Sequence, residues 1–181
     1  MRRVFSFCGV LCVVAVHAVV GGTMMAKVEM GRANVWSQQT GQWTSVMDSA
    51  ELALGDSVSV DHGNNDVTVV VGREVKLLLN GMGKIALNGT PQGLTVGLVK
   101  GQVFLQRTKP YELNFFNVIA GECVFIPVGT AAAVKFTKAG EPSVAVLRGK
   151  MRVEAPGAMA VVVAPGGFCT YTAAKSFKQG E

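Results

Sequence analysis

After residue 26 no stretch repeats apolar residues at the three-to-four-residue spacing of a helix. The chain runs instead in short bursts of apolar and polar alternation, each cut off by Gly, Asn, Asp or Pro. Alternation with a period of two puts every second side chain on one face, so each burst reads as a strand with one buried side. Val67-Thr68-Val69-Val70-Val71 is a β-branched run, and His62-Gly63-Asn64-Asn65-Asp66 before it is turn chemistry. Further strands are predicted at Val75–Leu79, Ile85–Leu87, Leu94–Leu98, Val103–Gln106, Leu113–Asn117, Val118–Ala120 and Val124–Ile126. The last third adds Ala133–Thr137, Ser143–Leu147, Met151–Glu154, Ala160–Val163 and Phe168–Thr172. Asp48 to Leu52 has the composition of a helical turn, but Leu52-Ala53-Leu54-Gly55-Asp56 reads better as a strand followed by a turn. The expected class is all-β, built from many short strands.

A Gly, one polar residue and then alternation recurs at Gly31, Gly72, Gly83, Gly101 and Gly149. Its spacing is irregular, which excludes a fixed-length repeat. Each Gly permits a tight turn, and the alternation behind it buries one face of the next strand. A solenoid-like stack or a rolled β-sandwich fits this phrase.

The amino end has a different character. Met1-Arg2-Arg3 is basic, Val4 to Val20 is an uncharged and mostly apolar run, and Val16-His17-Ala18 is a small-residue exit. Residues 1–18 read as a signal peptide, or as an uncleaved anchor helix reaching about residue 22. Neither Phe5-Ser6-Phe7 before Cys8 nor Gly9-Val10-Leu11 before Cys12 is a lipoprotein box. The body, residues 26–174, is expected to work outside the cytoplasm, periplasmic or exported, and 175–181 to form a short tail. Membrane contact is expected only through the amino-terminal segment, if it is retained.

Removal of residues 1–18 leaves 15 basic against 12 acidic residues, spread singly, so the charge reads as a solubilising surface. Aromatic residues are only 7% of the chain, which argues against a nucleic-acid stacking platform. Cys123 and Cys169 remain after cleavage. As a pair in an exported protein they would close a loop of about 45 residues with a disulfide worth roughly 3–4 kcal/mol. Their apolar neighbours equally suit two buried free thiols.

Little chemistry is written in the sequence. His62 is the one histidine of the body, so a triad, relay or multi-histidine metal site must pass through it. Its oxygen-rich neighbours suit a hard cation, but Gly-Asn-Asn-Asp is ordinary hairpin composition. Gly121 to Gly129 fits a cupin half-motif, G-x5-P-x-G, yet the position three residues after the last Gly is Ala132 where a metal-binding cupin has histidine. Asp48, Glu51, Asp56, Asp61, Asp66, Glu74, Glu112, Glu122, Glu141 and Glu154 are scattered, mainly at strand ends, where carboxylates are solvated by default. No metal or other cofactor is expected.

The order of blocks from Ala26 to about Ala173 resembles the FecR-type periplasmic domain, the envelope portion of iron-dicitrate-type signalling regulators. The matching blocks begin with Val28-Glu29-Met30-Gly31-Arg32-Ala33-Asn34-Val35, a tryptophan region at Trp43, and Leu52-Ala53-Leu54-Gly55-Asp56-Ser57-Val58. Leu98-Val99-Lys100-Gly101-Gln102-Val103-Phe104 follows, then Gly129-Thr130-Ala131-Ala132-Ala133-Val134, with Ala132 where the family has Phe. Val144 to Val153 and Val161 to Gly167 close the series. The resemblance implies a solenoid-like all-β domain without catalytic residues, acting through protein contacts in the envelope. Family regulators carry a cytoplasmic sigma-binding segment before the membrane helix. Only Met1-Arg2-Arg3 precedes the apolar run here, so control of a sigma factor through such a segment is not expected.

The leading expectation is therefore a non-catalytic interaction module whose partner is an envelope protein, with Trp36, Trp43 and Arg73 as candidate contacts. The rival is a small-ligand-binding, cupin-like barrel lined by Phe104, Phe115, Phe125 and Phe136. A weaker third class is a hydrolase working with two carboxylates.

Overall fold

The computed structural model describes residues 26–47, 49–61, 66–90, 92–108 and 113–180. The expected signal or anchor helix lies outside these residues, as does His62 with its turn. The described chain is all-β. Its strands are β1 (Ala26–Met30), β2 (Arg32–Ser37), β3 (Gln42–Met47), β4 (Ala50–Leu52), β5 (Ser57–Ser59), β6 (Asp66–Val71) and β7 (Val75–Thr90). Then come β8 (Gly93–Arg107), β9 (Phe115–Ala120), β10 (Cys123–Phe136), β11 (Pro142–Glu154), β12 (Val161–Val163), β13 (Phe168–Tyr171) and β14 (Phe177–Gly180).

All belong to one sheet with the main order β14-β13-β11-β10-β9-β8-β7-β5-β2-β3. Among the described residues every pairing is antiparallel except β8 with β9, so the sheet is mixed. Four long strands, β7, β8, β10 and β11, change partners halfway. Residues 75–80 of β7 pair with β6, and 84–86 with β5. Residues 102–106 of β8 pair with β10, and 93–98 with β9. The sheet thus folds over along these strands into two facing leaves. The first holds β1, β4, β6, β13, β14 and one half of each long strand. The second holds β2, β3, β5, β9, β12 and the other halves.

Ten of the fourteen described strands are short, as the sequence predicts; in the other four, pairs of predicted strands are halves of one bent strand. In β8 the buried positions are Leu94, Val96 and Leu98, then Val103 and Leu105. In β11 they are Val144 and Val146, then Met151 and Val153. The parity switches at Gly101 and at Gly149. A bulge supplies one extra residue, so the strand turns the corner and keeps its apolar face inside. The corners also bring backbones very close. A Cβ on Gly101, where φ is +81°, would lie 2.9 Å from Gly83 Cα. Only glycine accepts both that conformation and that approach.

The facing sides form one core that includes Val28, Val69, Leu77, Leu79 and Val134 from the first leaf and Val58, Ile85, Leu87, Val118 and Phe125 from the second. All ten are at most 1% exposed. The alternative of a helical turn at Asp48–Leu52 is settled by β4. The Gly55-Asp56 turn after it is held by Asp56, whose carboxylate accepts from the backbone N–H of Gln38 at 2.9 Å and of Ala53 at 2.8 Å. That one buried side chain ties the β2–β3 turn to the β4–β5 turn.

Within the segment expected as a short tail, 175–181, β14 pairs with β13 along its whole length. Phe177 packs on Tyr171 with ring centroids 5.4 Å apart, and the Phe168 ring lies over Gly180. Short strands carrying aromatic residues across the gap are worth ordering even at a sheet edge.

Candidate functional site

The second leaf presents the most distinctive outer surface. Val35 and Ala33 point into the core, so Asn34 and Trp36 on the same strand point outward. Register places Trp36 directly opposite Trp43, joining two of the three predicted contact residues as a cross-strand pair. Trp43 is 49% exposed and Trp36 is half-buried. Beyond Trp36 the same row continues through Ser57, Ala86 and Gly97. It then rises again at Ile119. A ridge of indole rings therefore stands beside a low floor of small residues.

The neighbouring row is polar and runs Asn34, Ser59, Lys84. Asp61, just past β5, accepts from Asn34 Nδ2 and from Ser59 Oγ, the latter at 3.0 Å. The Lys84 ammonium sits 4.9 Å from the Trp43 ring centroid, a cation–π contact. Asn34, Trp43, Ser59, Asp61 and Lys84 line a shallow cleft of about 220 Å³. Chemically the strip offers an aromatic face, a cation and an oriented carboxylate. Asp61 is held by two donors, which suits recognition rather than proton transfer. Arg73, the third predicted contact, lies in the β6–β7 turn of the first leaf and does not join the strip.

Sequence reasoning missed Lys84, Asn34 and Ser59. Each occupies an outward position of an alternating strand, so the signal existed, but which strands are neighbours is not readable from alternation.

The four phenylalanines of the ligand-barrel reading do not converge on a cavity. Phe125 is core at 1% exposure, Phe115 is 40% exposed over Gly93, and Phe136 packs partly against the core. Phe104 faces outward from the first leaf, between inward Val103 and Leu105. Gly121 and Gly129 of the cupin-like motif prove to be the β9–β10 turn and a corner of β10. There Thr130 is fully buried and donates to the carbonyl of Lys150.

Of the two arrangements open to Cys123 and Cys169, the structure has both thiols free and buried. Burial pushes the Cys123 thiol up to about 12, reinforced by the nearby Cys169 and Glu122, and burial alone pushes Cys169 up to about 11. Since the thiolate is the reactive form, both are expected to resist iodoacetamide at pH 8 in the native protein. Peptide mapping should find them alkylated only after guanidinium unfolding. Rapid native labelling of either would show that its leaf opens.

No protein-family model matches the sequence, and a search of curated proteins finds no match. The fold is similar to two crystal structures of a "putative anti-sigma factor" from Parabacteroides distasonis ATCC 8503, each with a TM-score of 0.58 and 18% identity. In each case the match covers 69% of this chain and 59% of that one, so this chain spans well under two thirds of that protein's length. At such identity the likeness is one of fold.

Proposed function

We propose that this chain is a non-catalytic, signalling-related module of the FecR type that works outside the cytoplasm by binding an envelope protein. The observation that carries the reading is the Trp36–Trp43 ridge beside Lys84 and Asp61. Exposed tryptophan is enriched at protein interfaces and among their hot spots, and Lys84 and Asp61 supply polar groups of the kind found at an interface rim. The anti-sigma-like fold supports a regulatory rather than an enzymatic role. Export rests on the basic and apolar amino end and on the resemblance of the block order.

The test places a photo-crosslinking amino acid at position 43, with position 138 in an exposed turn as control, in the native envelope. A single defined adduct at 43 and none at 138 is expected. Trp43→Ala should weaken binding of that purified partner by about 30-fold, the cost of an aromatic hot spot at about 2 kcal/mol. Equal crosslinking at both positions, or an unchanged affinity for Trp43→Ala, would refute the assignment of this strip.

A further inference from the structure

The opposite face carries a second, differently built surface. Across the first leaf the outward row in register runs Leu78, Phe104, Ala133, Ala145, Phe168 and ends at Gly180. Its middle is low: Ala133, 9% exposed, and the exposed Ala145 are adjacent on β10 and β11, with half-buried Ala131 two residues along β10. Larger side chains border it: Phe104, half-buried, on β8, and Phe168, laid over Gly180 at the far edge. From β8 to β13 there are three strand spacings, about 14 Å. An α-helix with its side chains is about 10–12 Å across. Leu147, 65% exposed, extends the apolar lining towards one end.

The strands that form this trough carry charge of one sign, and Glu141, just before β11, accepts from the Ala173 N–H. Residues 102–107, 131–136, 142–148, 168–171 and 177–180, which form this half of the leaf, contain no Asp or Glu. They supply Lys135, Arg148 and Lys178, all exposed. Lys135 and Lys178 flank the apolar row on one side, in the row that includes Gln102, Ser143 and Thr170. Arg107 belongs to a different arrangement, a buried pair with Glu74.

We propose that this trough receives an amphipathic helix from a partner protein, with an apolar stripe on the alanine floor and acidic residues against Lys135, Arg148 and Lys178. The inference rests on reading the chain as a protein-contact module and adds a second contact on its other face. The strands of the floor are hydrogen-bonded on both sides, so an incoming strand has no free edge here, whereas a helix needs none. A lipid surface is less suited. Phe104 is half-buried and Phe168 is laid over Gly180, so neither aromatic ring projects as an insertion anchor would.

The experiment uses a fluorescent synthetic helix of about 18 residues, five turns, with a leucine stripe and glutamates on both flanks. Its anisotropy is followed on titration with the protein. A version with lysines for glutamates and phosphatidylglycerol vesicles serve as comparisons. The acidic helix is expected to bind and the lysine version not to. Ala145→Arg, at an exposed floor position, and Lys135→Glu, on the rim, should each weaken binding about tenfold or more. Val162→Ser, at an exposed position of β12 on the second leaf, should leave it unchanged. Binding indifferent to both first-leaf changes, or vesicle binding without helix binding, would overturn the proposal. Failure here with a defined adduct at position 43 sinks the trough alone; binding here with no adduct at 43 sinks the tryptophan strip alone.

Discussion

Glu74→Ala is expected to destabilise the fold by about 3–5 kcal/mol, as removal of one partner from a buried ion pair does. At about 2–4 °C per kcal/mol for a chain of this size, the melting temperature should fall by roughly 6–20 °C. The side chain is 1% exposed and its Oε1 lies 2.9 Å from Arg107 Nε. Its Oε2 accepts from the Leu113 N–H at 2.9 Å, and Arg107 Nη2 donates to the Leu113 carbonyl at the same distance. The pair therefore clamps the approach to β9, which pairs in parallel with β8. Alanine leaves the Arg107 cation with 11% side-chain exposure and without this carboxylate. The double change Glu74→Met with Arg107→Met should recover much of the loss, because removing one partner of a buried ion pair costs more than replacing both by apolar side chains of similar volume. Thermal unfolding followed by circular dichroism checks both. If Glu74→Ala costs under about 1 kcal/mol, the clamp has no energetic role and solvent reaches the pair.

Much of this architecture was legible as alternation, and what failed to show has a definite cause. Val75–Leu79 and Ile85–Leu87 were readable as strands because apolar parity marks each half. That they are one strand was not, since Gly81 to Gly83 breaks the pattern just as a loop would. The parity switch at Gly101 and Gly149 is itself a sequence signal: it keeps the core face inward around a corner. A loop between independent strands gives the same switch, and only pairing distinguishes them. The Gly55-Asp56 turn was visible, whereas the reach of Asp56 to the Gln38 backbone was not, because it spans two hairpins. For the surface, Trp36 and Trp43 stood out by residue type. Lys84 became part of the strip through register alone. Phe177-Lys178-Gln179-Gly180 is too short and polar to declare a strand from sequence. It is held by Tyr171 and Phe168, which only the fold places beside it.

Gly149→Ala is expected to cost about 2–5 kcal/mol, while Gly140→Ala costs only about 1–2 kcal/mol. The two glycines have nearly the same φ, +77° and +79°, so the penalty for a side chain at positive φ is common to both. Their surroundings differ. A Cβ at position 140 meets nothing within 4 Å. At position 149 it would lie 2.3 Å from the Gly129 carbonyl oxygen and 2.8 Å from that of Val128. Those atoms are backbone of the neighbouring corner and cannot swing aside as a side-chain tip would. Relief requires β10 and β11 to separate where both cross between leaves. The difference between the two substitutions, read from denaturant midpoints at unchanged m, isolates this close approach from backbone strain. A larger gap would mean that the corner is shared cooperatively between adjacent strands. Equal costs would mean that the bend survives separation of the two backbones, and that glycine is required at the corner for its dihedral angles alone.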